Sequence, residues 1–149
     1  MDKTVLCYLN KGDSYLMLYR NKKENDINKD KYIGIGGHIE KGETKEQALI
    51  REVKEETGLL INQYEYRGEL IFINDDYEEI MYLYTSSDFS GQLIDCDEGE
   101  LIWIDKKNLP SLNIWEGDRY FLEPLFNSDR FIKMTLRYSG DQLIEVEEN

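Results

Sequence analysis

Short apolar runs bounded by turn residues dominate this chain, and only two stretches carry helical spacing. Thr4 to Leu9 and Tyr15 to Arg20, separated by Asn10-Lys11-Gly12-Asp13, predict a β-hairpin. Asn21 to Lys31 is polar and mixed in charge, which predicts a loop long enough to suggest a functional role. Gly34, Gly36 and Gly37 then crowd one short segment. Tyr64 to Ile73, Glu79 to Tyr84 and Leu101 to Ile104 are rich in β-branched, aromatic and leucine residues and predict strands. Phe131 to Tyr138 and Gln142 to Val146 predict a closing hairpin around Ser139-Gly140.

The first helical stretch has both of its ends written in the sequence. Thr44-Lys45-Glu46-Gln47 is a capping-box pattern, in which the Thr44 hydroxyl and the Gln47 side chain each satisfy an orphan amide. Gly58 suits the left-handed residue that ends a helix. Between them fit about 13 residues, roughly 20 Å of helix, with Leu49, Ile50 and Val53 as the expected buried side. A second helix is expected over Gly117 to Phe126, where Tyr120, Phe121, Leu122 and Leu125 recur at helical spacing. Strands, one long helix, more strands and a later helix predict an α+β fold, a mixed sheet between helices.

The 149 residues, with no repeat, low-complexity tract or linker among them, are expected to form one domain over 1–149. A chain of that size buries roughly 70% of its unfolded surface. Hydrophobic residues at 40% and only two prolines exclude disorder. The net charge of −13 repels nucleic-acid polymers and anionic membranes, so neither is an expected partner. A small anion remains compatible where cations reverse the field locally. Cys7 and Cys96 are too few for a disulfide scaffold, and neither a leader-like segment nor a run of roughly 18 apolar residues occurs. The expected location is the reducing cytoplasm.

The candidate chemistry lies on the first helix. Glu52, Glu55 and Glu56 stand at i, i+3 and i+4, which places three carboxylates on one face. By themselves they read either as a solvated acidic surface or as hard oxygen ligands for Mg2+ or Mn2+. The surrounding pattern favours the ligands. Gly37, five residues, Glu43, seven residues and then Arg51-Glu52-Val53-Lys54-Glu55-Glu56-Thr57-Gly58-Leu59 occupy 23 positions that match the Nudix box throughout. The chain thus resembles the Nudix, or MutT-like, hydrolases.

That resemblance implies an α/β/α sandwich and hydrolysis of a nucleoside diphosphate linked to another group, with a divalent cation that bridges phosphate oxygens and acidifies water. It makes Glu52, Glu55 and Glu56 metal ligands and catalytic residues, with the carbonyl of Gly36 turned to the metal and Arg51 orienting the glutamates. Glu43 would support the loop before the helix. Glu98, in the run Asp95-Cys96-Asp97-Glu98, stands where relatives supply a further carboxylate, and is either a catalytic and metal-binding acid or an exposed loop acid. Arg20 is the chosen phosphate contact. Lys22, Lys23, Lys29 and Lys31 are further phosphate charges or plain solubilising ones. Gly37 and the lone histidine, His38, belong to the expected substrate-binding set, His38 facing phosphate or solvent rather than metal.

The C-terminal third, with Trp103, Leu109-Pro110, Trp115-Glu116-Gly117-Asp118-Arg119 and Gly140-Asp141-Gln142, is similar to the oxidised-purine triphosphatases. These convert 8-oxo-dGTP to the monophosphate and pyrophosphate in sanitation of the nucleotide pool, an aid to DNA repair. Trp115 would then stack on a purine, unless it is a core anchor, and Asp118 would bond the purine edge. The chain departs from those relatives at Ile33, where they often carry asparagine, and at Gly117, where they carry a second acid. ADP-ribose, a dinucleotide, a capped RNA end and a catalytically dead nucleotide-sensing module are the alternative readings. The oligomeric state is left open.

Overall fold

The computed structural model describes residues 1–149, and its architecture follows from how one strand divides its two edges. Strand β1 (Asp2–Lys11) turns at Gly12, whose φ of 60° suits a residue without Cβ, into β2 (Ser14–Tyr19). The expected hairpin forms, but β1 and β2 pair only at Asn10↔Tyr15 and Lys11↔Ser14. The rest of β1 gives one edge to β4 (Ile35–His38), antiparallel, and the other to β6 (Tyr77–Ser90), parallel. Strand β5 (Leu60–Asn74) pairs antiparallel with β6 and parallel with β8 (Ile132–Ser139), and β9 (Gln142–Glu148) closes that edge. Strands β3 (Tyr32–Ile33) and β7 (Glu100–Asp105) flank β2 in a smaller antiparallel layer.

The segment crowded with glycine is therefore a strand. A Cβ on Gly36 would run into the carbonyl of Val5 on β1, so only glycine lets β4 lie this close. Strands β5 and β6 extend well beyond the expected apolar runs, chiefly at the end away from the Asp75-Asp76 turn, where cross-strand pairing joins Leu60, Ile61 and Gln63 to Ser90, Phe89 and Asp88.

Side chains alternate across the sheet. Val5, Cys7, Leu9, Leu16 and Leu18 point to the face covered by α1 (Lys45–Thr57), whereas Tyr8, Tyr15, Met17, Leu70, Leu83 and Leu136 point to the face covered by α2 (Asp118–Asn127). This is a mixed sheet between helices, as expected. Helix α1 has its full capping box, with Gln47 N–H donating to Thr44 Oγ1 at 3.1 Å and Thr44 N–H to Gln47 Oε1 at 2.9 Å. It ends at Gly58, φ 82°. Its buried side is Ala48, Leu49, Val53 and Thr57, which corrects the expectation for Ile50. Ile50 is exposed, since the face that meets the sheet runs through 49, 53 and 57 and position 50 lies outside it. Helix α2 spans Asp118–Asn127, one residue later than expected at each end, and Gly117 is its N-cap. Cys7 and Cys96 are free thiols in the α1-side core. No helix is long and apolar enough to cross a membrane.

Candidate active site

One arginine organises the exposed side of α1. Arg51 grips Glu43 with two parallel bonds, Nε to Oε2 at 2.6 Å and Nη2 to Oε1 at 2.9 Å. Its Nη1 reaches Glu52 at 2.8 Å and Glu55 at 3.2 Å, and Nη2 donates to the His38 carbonyl at 3.0 Å. The guanidinium thus ties the loop after β4, the entry to α1 and the helix face into one unit. Its bonds, with the Glu40 N–H, lower the Glu43 carboxyl to about 2.

Beside this network Glu52 and Glu56 turn toward β4. Gly37 faces the Glu52 carboxylate so closely that a Cβ would collide with it, and Gly36 N–H donates to Glu56 Oε2 at 3.3 Å. Burial raises the Glu56 carboxyl to about 9, helped by a hydrogen bond with Glu98 and by the charges of Glu98 and Glu52. Glu52 is raised as well, by burial, with Arg51 opposing. No three of these groups converge on one point closely enough to hold an ion as they stand. Arg51 bonds Glu52 and Glu55, and Glu56 takes the Gly36 N–H. The donor set still fits a hard divalent cation. Its atoms are all carboxylate oxygens, the ligands such an ion takes, and Glu52, Glu56 and Glu98 line one cavity.

These acids form one end of a cavity of about 720 Å³, the size of a nucleotide site. Glu52, Glu56 and Glu98 line it with Arg20, Gly36, Gly37 and His38. Glu55 does not reach it and is exposed, so only two of the three carboxylates expected on one face open into the cavity. Arg20 lies at the wall in a pair with Asp26 at 2.8 Å and with Glu98 at 3.5 Å. Glu98 also meets Lys23 at 3.6 Å, so it is a wall residue rather than a free loop acid. Lys22 donates to the Cys96 carbonyl at 2.7 Å, which ties the two loops together. His38 is exposed, 3.6 Å from the Asp2 carboxylate.

The other end is aromatic. Trp115 stands edge-on to Phe72 and Tyr138, with centroids 5.6 and 5.1 Å away, and Lys31 lies over its ring at 5.0 Å. At 8% exposure it packs in the core, as its anchor reading had it, and it also lines the cavity. Asp118 lines the same end, and burial lifts its carboxyl to about 7 against the charges of Arg119 and Lys31. Trp103 is elsewhere, stacked on Phe89 at 6.1 Å.

Sequence reasoning missed Phe72, Tyr138, Asp26 and Asn28, all of which line the cavity. Phe72 and Tyr138 read as ordinary strand residues, because nothing in one strand says which face is covered by a partner. Asn28 and Asp26 lie in the long loop already marked as functional, and that was their only signal.

Comparison with known proteins agrees with this arrangement. The NUDIX domain model matches residues 2–125. The chain is 26% identical over 147 residues to the Nudix hydrolase YvcI of Bacillus subtilis, covering 95% of this chain and 89% of the relative. It is 26% identical over 125 residues to an oxidized purine nucleoside triphosphate hydrolase of Danio rerio, covering 83% and 80%. The crystal structure of a mutator MutT protein from Bacillus halodurans superposes with a TM-score of 0.89 at 23% identity, covering 100% of this chain and 98% of that one. From its box, its sheet and these matches, the chain belongs to the Nudix family of MutT-like hydrolases, which act on the phosphoanhydride bonds of nucleotides.

Proposed function

We propose that this protein is a Mg2+-dependent pyrophosphohydrolase of a purine nucleoside triphosphate, 8-oxo-dGTP being the leading candidate. The observation that carries this reading is one nucleotide-sized cavity with carboxylates at one end and an aromatic cluster with one acid at the other. The match to the Danio rerio oxidized purine nucleoside triphosphate hydrolase supports the same substrate class.

In this reading Glu52, Glu56 and Glu98, with Glu55 from the same helix face, are the residues that would hold Mg2+, near the Gly36 backbone. The ion, when bound, supplies charge neutralisation and Lewis acidity at the phosphates. Arg20 and His38 face the phosphate chain. Arg51 keeps Glu52 from drifting by the bond at 2.8 Å and is itself clamped by Glu43. A water oxygen bonds to phosphorus, the bridging P–O bond breaks, and monophosphate and pyrophosphate result. One carboxylate of the Glu56 and Glu98 pair takes the proton of that water. Trp115, Phe72 and Tyr138 exclude solvent around the base, so the protein contributes mainly position and charge.

A panel of nucleotides with Mg2+, with products identified after reaction in ¹⁸O-labelled water, tests this. Release of pyrophosphate from 8-oxo-dGTP in preference to dATP and dTTP is the expected result. Preferred cleavage of ADP-ribose, a dinucleotide or an RNA 5′ end would replace it, and nucleotide binding without turnover would leave a sensing module.

A further inference from the structure

A single hydrogen bond from Trp115 decides which end of the Asn28 amide faces the cavity. The indole Nε1–H is a donor with no acceptor capacity, so the atom it meets at 2.7 Å is the Asn28 oxygen. The amide nitrogen is left with no protein acceptor, in a residue that lines the cavity. The loop around it is pinned. Asn28 N–H donates to Asp26 Oδ1 at 3.0 Å, Asp26 is paired to Arg20 at 2.8 Å, and Lys31 N–H donates to the Asn28 carbonyl at 2.9 Å. Asn113 holds the Asp30 carbonyl at 2.7 Å. Asp118 lies on the other chain segment beside Trp115, its N–H donating to the Trp115 carbonyl at 3.0 Å, and its carboxylate accepts no hydrogen bond from the protein. The cavity therefore offers one fixed donor and one acidic acceptor at its aromatic end.

We propose that Asn28 reads the base, donating its amide N–H to the 6-oxo oxygen of a guanine-type purine while Asp118 takes the N1–H and 2-amino N–H. This rests on the cavity being a purine nucleotide site. A guanine edge sets one acceptor beside two donors, which matches one amide N–H and the two oxygens of a carboxylate. Adenine offers a single amino group beside a ring nitrogen and leaves one Asp118 oxygen unmet. An unmet polar group in a closed site is discriminated against strongly.

Asn28→Asp separates this role from support of Trp115, because a carboxylate still accepts from the indole but presents an acceptor to the cavity in place of a donor. The ratio of kcat/KM for dGTP and 8-oxo-dGTP to that for dATP should fall roughly 10- to 100-fold in the variant. Equilibrium binding of dGMP relative to dAMP, measured without metal, should weaken by a similar factor, at a melting temperature close to wild type. An unchanged ratio, or a uniform loss for every base, overturns the role of Asn28 while leaving the proposed substrate class standing. If the variant misfolds, wild-type binding decides, since dGMP should bind at least about tenfold more tightly than 6-thio-dGMP, which keeps N1–H and the 2-amino group and changes only the acceptor at position 6. Equal binding of those two overturns the contact. A wild-type enzyme that hydrolyses no purine triphosphate removes the substrate class and this contact together.

Discussion

Asp118→Asn should stabilise this protein and impair it at once. The carboxyl is raised from an ordinary 3.8 to about 7 by burial, so in the folded chain it resists ionising where the unfolded chain ionises freely. For an acid raised in this way, stability is highest below the unfolded value and falls as pH rises toward the folded one. The gap is worth about 4 kcal/mol at ~1.4 kcal/mol per pH unit. Asp118 opens partly onto the cavity, where water relieves some of that cost, and about 2 kcal/mol is the better figure. An asparagine of the same shape does not ionise, so metal-free Asp118→Asn should melt about 4–8 °C above wild type at pH 8. At pH 4 the two should converge, because the wild-type acid is then neutral in the folded chain. The same variant should lose roughly 10- to 100-fold in kcat/KM for guanine nucleotides, since an amide cannot take two N–H groups. Thermal melts from pH 4 to 8 with chelator, followed by kinetics with Mg2+, measure both. A variant that melts at or below wild type at pH 8 would refute the burial argument.

Three further outcomes follow from the acidic end. Glu56→Gln should keep the fold and the Gly36 bond but lose orders of magnitude in kcat, and Mg2+ should raise the melting temperature of wild type and not of the variant; near-wild-type turnover would remove Glu56 from the mechanism. Arg51→Gln breaks the clamp on Glu43 and frees Glu52 and Glu55, and should lower the midpoint of chemical denaturation. Glu43, held at about 2, stabilises the wild type above its ordinary 4.5, and this is lost as pH falls toward 2. Arg51→Gln should therefore lack that acid-side loss, and an unchanged acid profile would count against the clamp. Gly37→Ala places a methyl against the Glu52 carboxylate and should cut kcat at least about tenfold with a far smaller effect on melting; full activity would mean that Glu52 can move freely.

Local sequence determined whatever is built from neighbours along the chain. Helix α1 is legible to the residue because its cap, its box and its terminal glycine are all short-range, and Arg51, Glu52, Glu55 and Glu56 are placed by helical period alone. The pairing of strands was not legible in this way. Strand β1 reads as half of a hairpin, yet it spends both edges on β4 and β6, partners as far as about eighty residues away, because an interior strand must bond all its amides. Exposure of Ile50 and Glu55 depends on which face of α1 meets the sheet and on where Arg51 points. Only folding brings Asn28, Phe72, Asp118 and Tyr138 around one space, since they come from a loop, two strands and a helix. The amide of Asn28 acquires a direction only when Trp115, 87 positions later, supplies a donor that cannot accept.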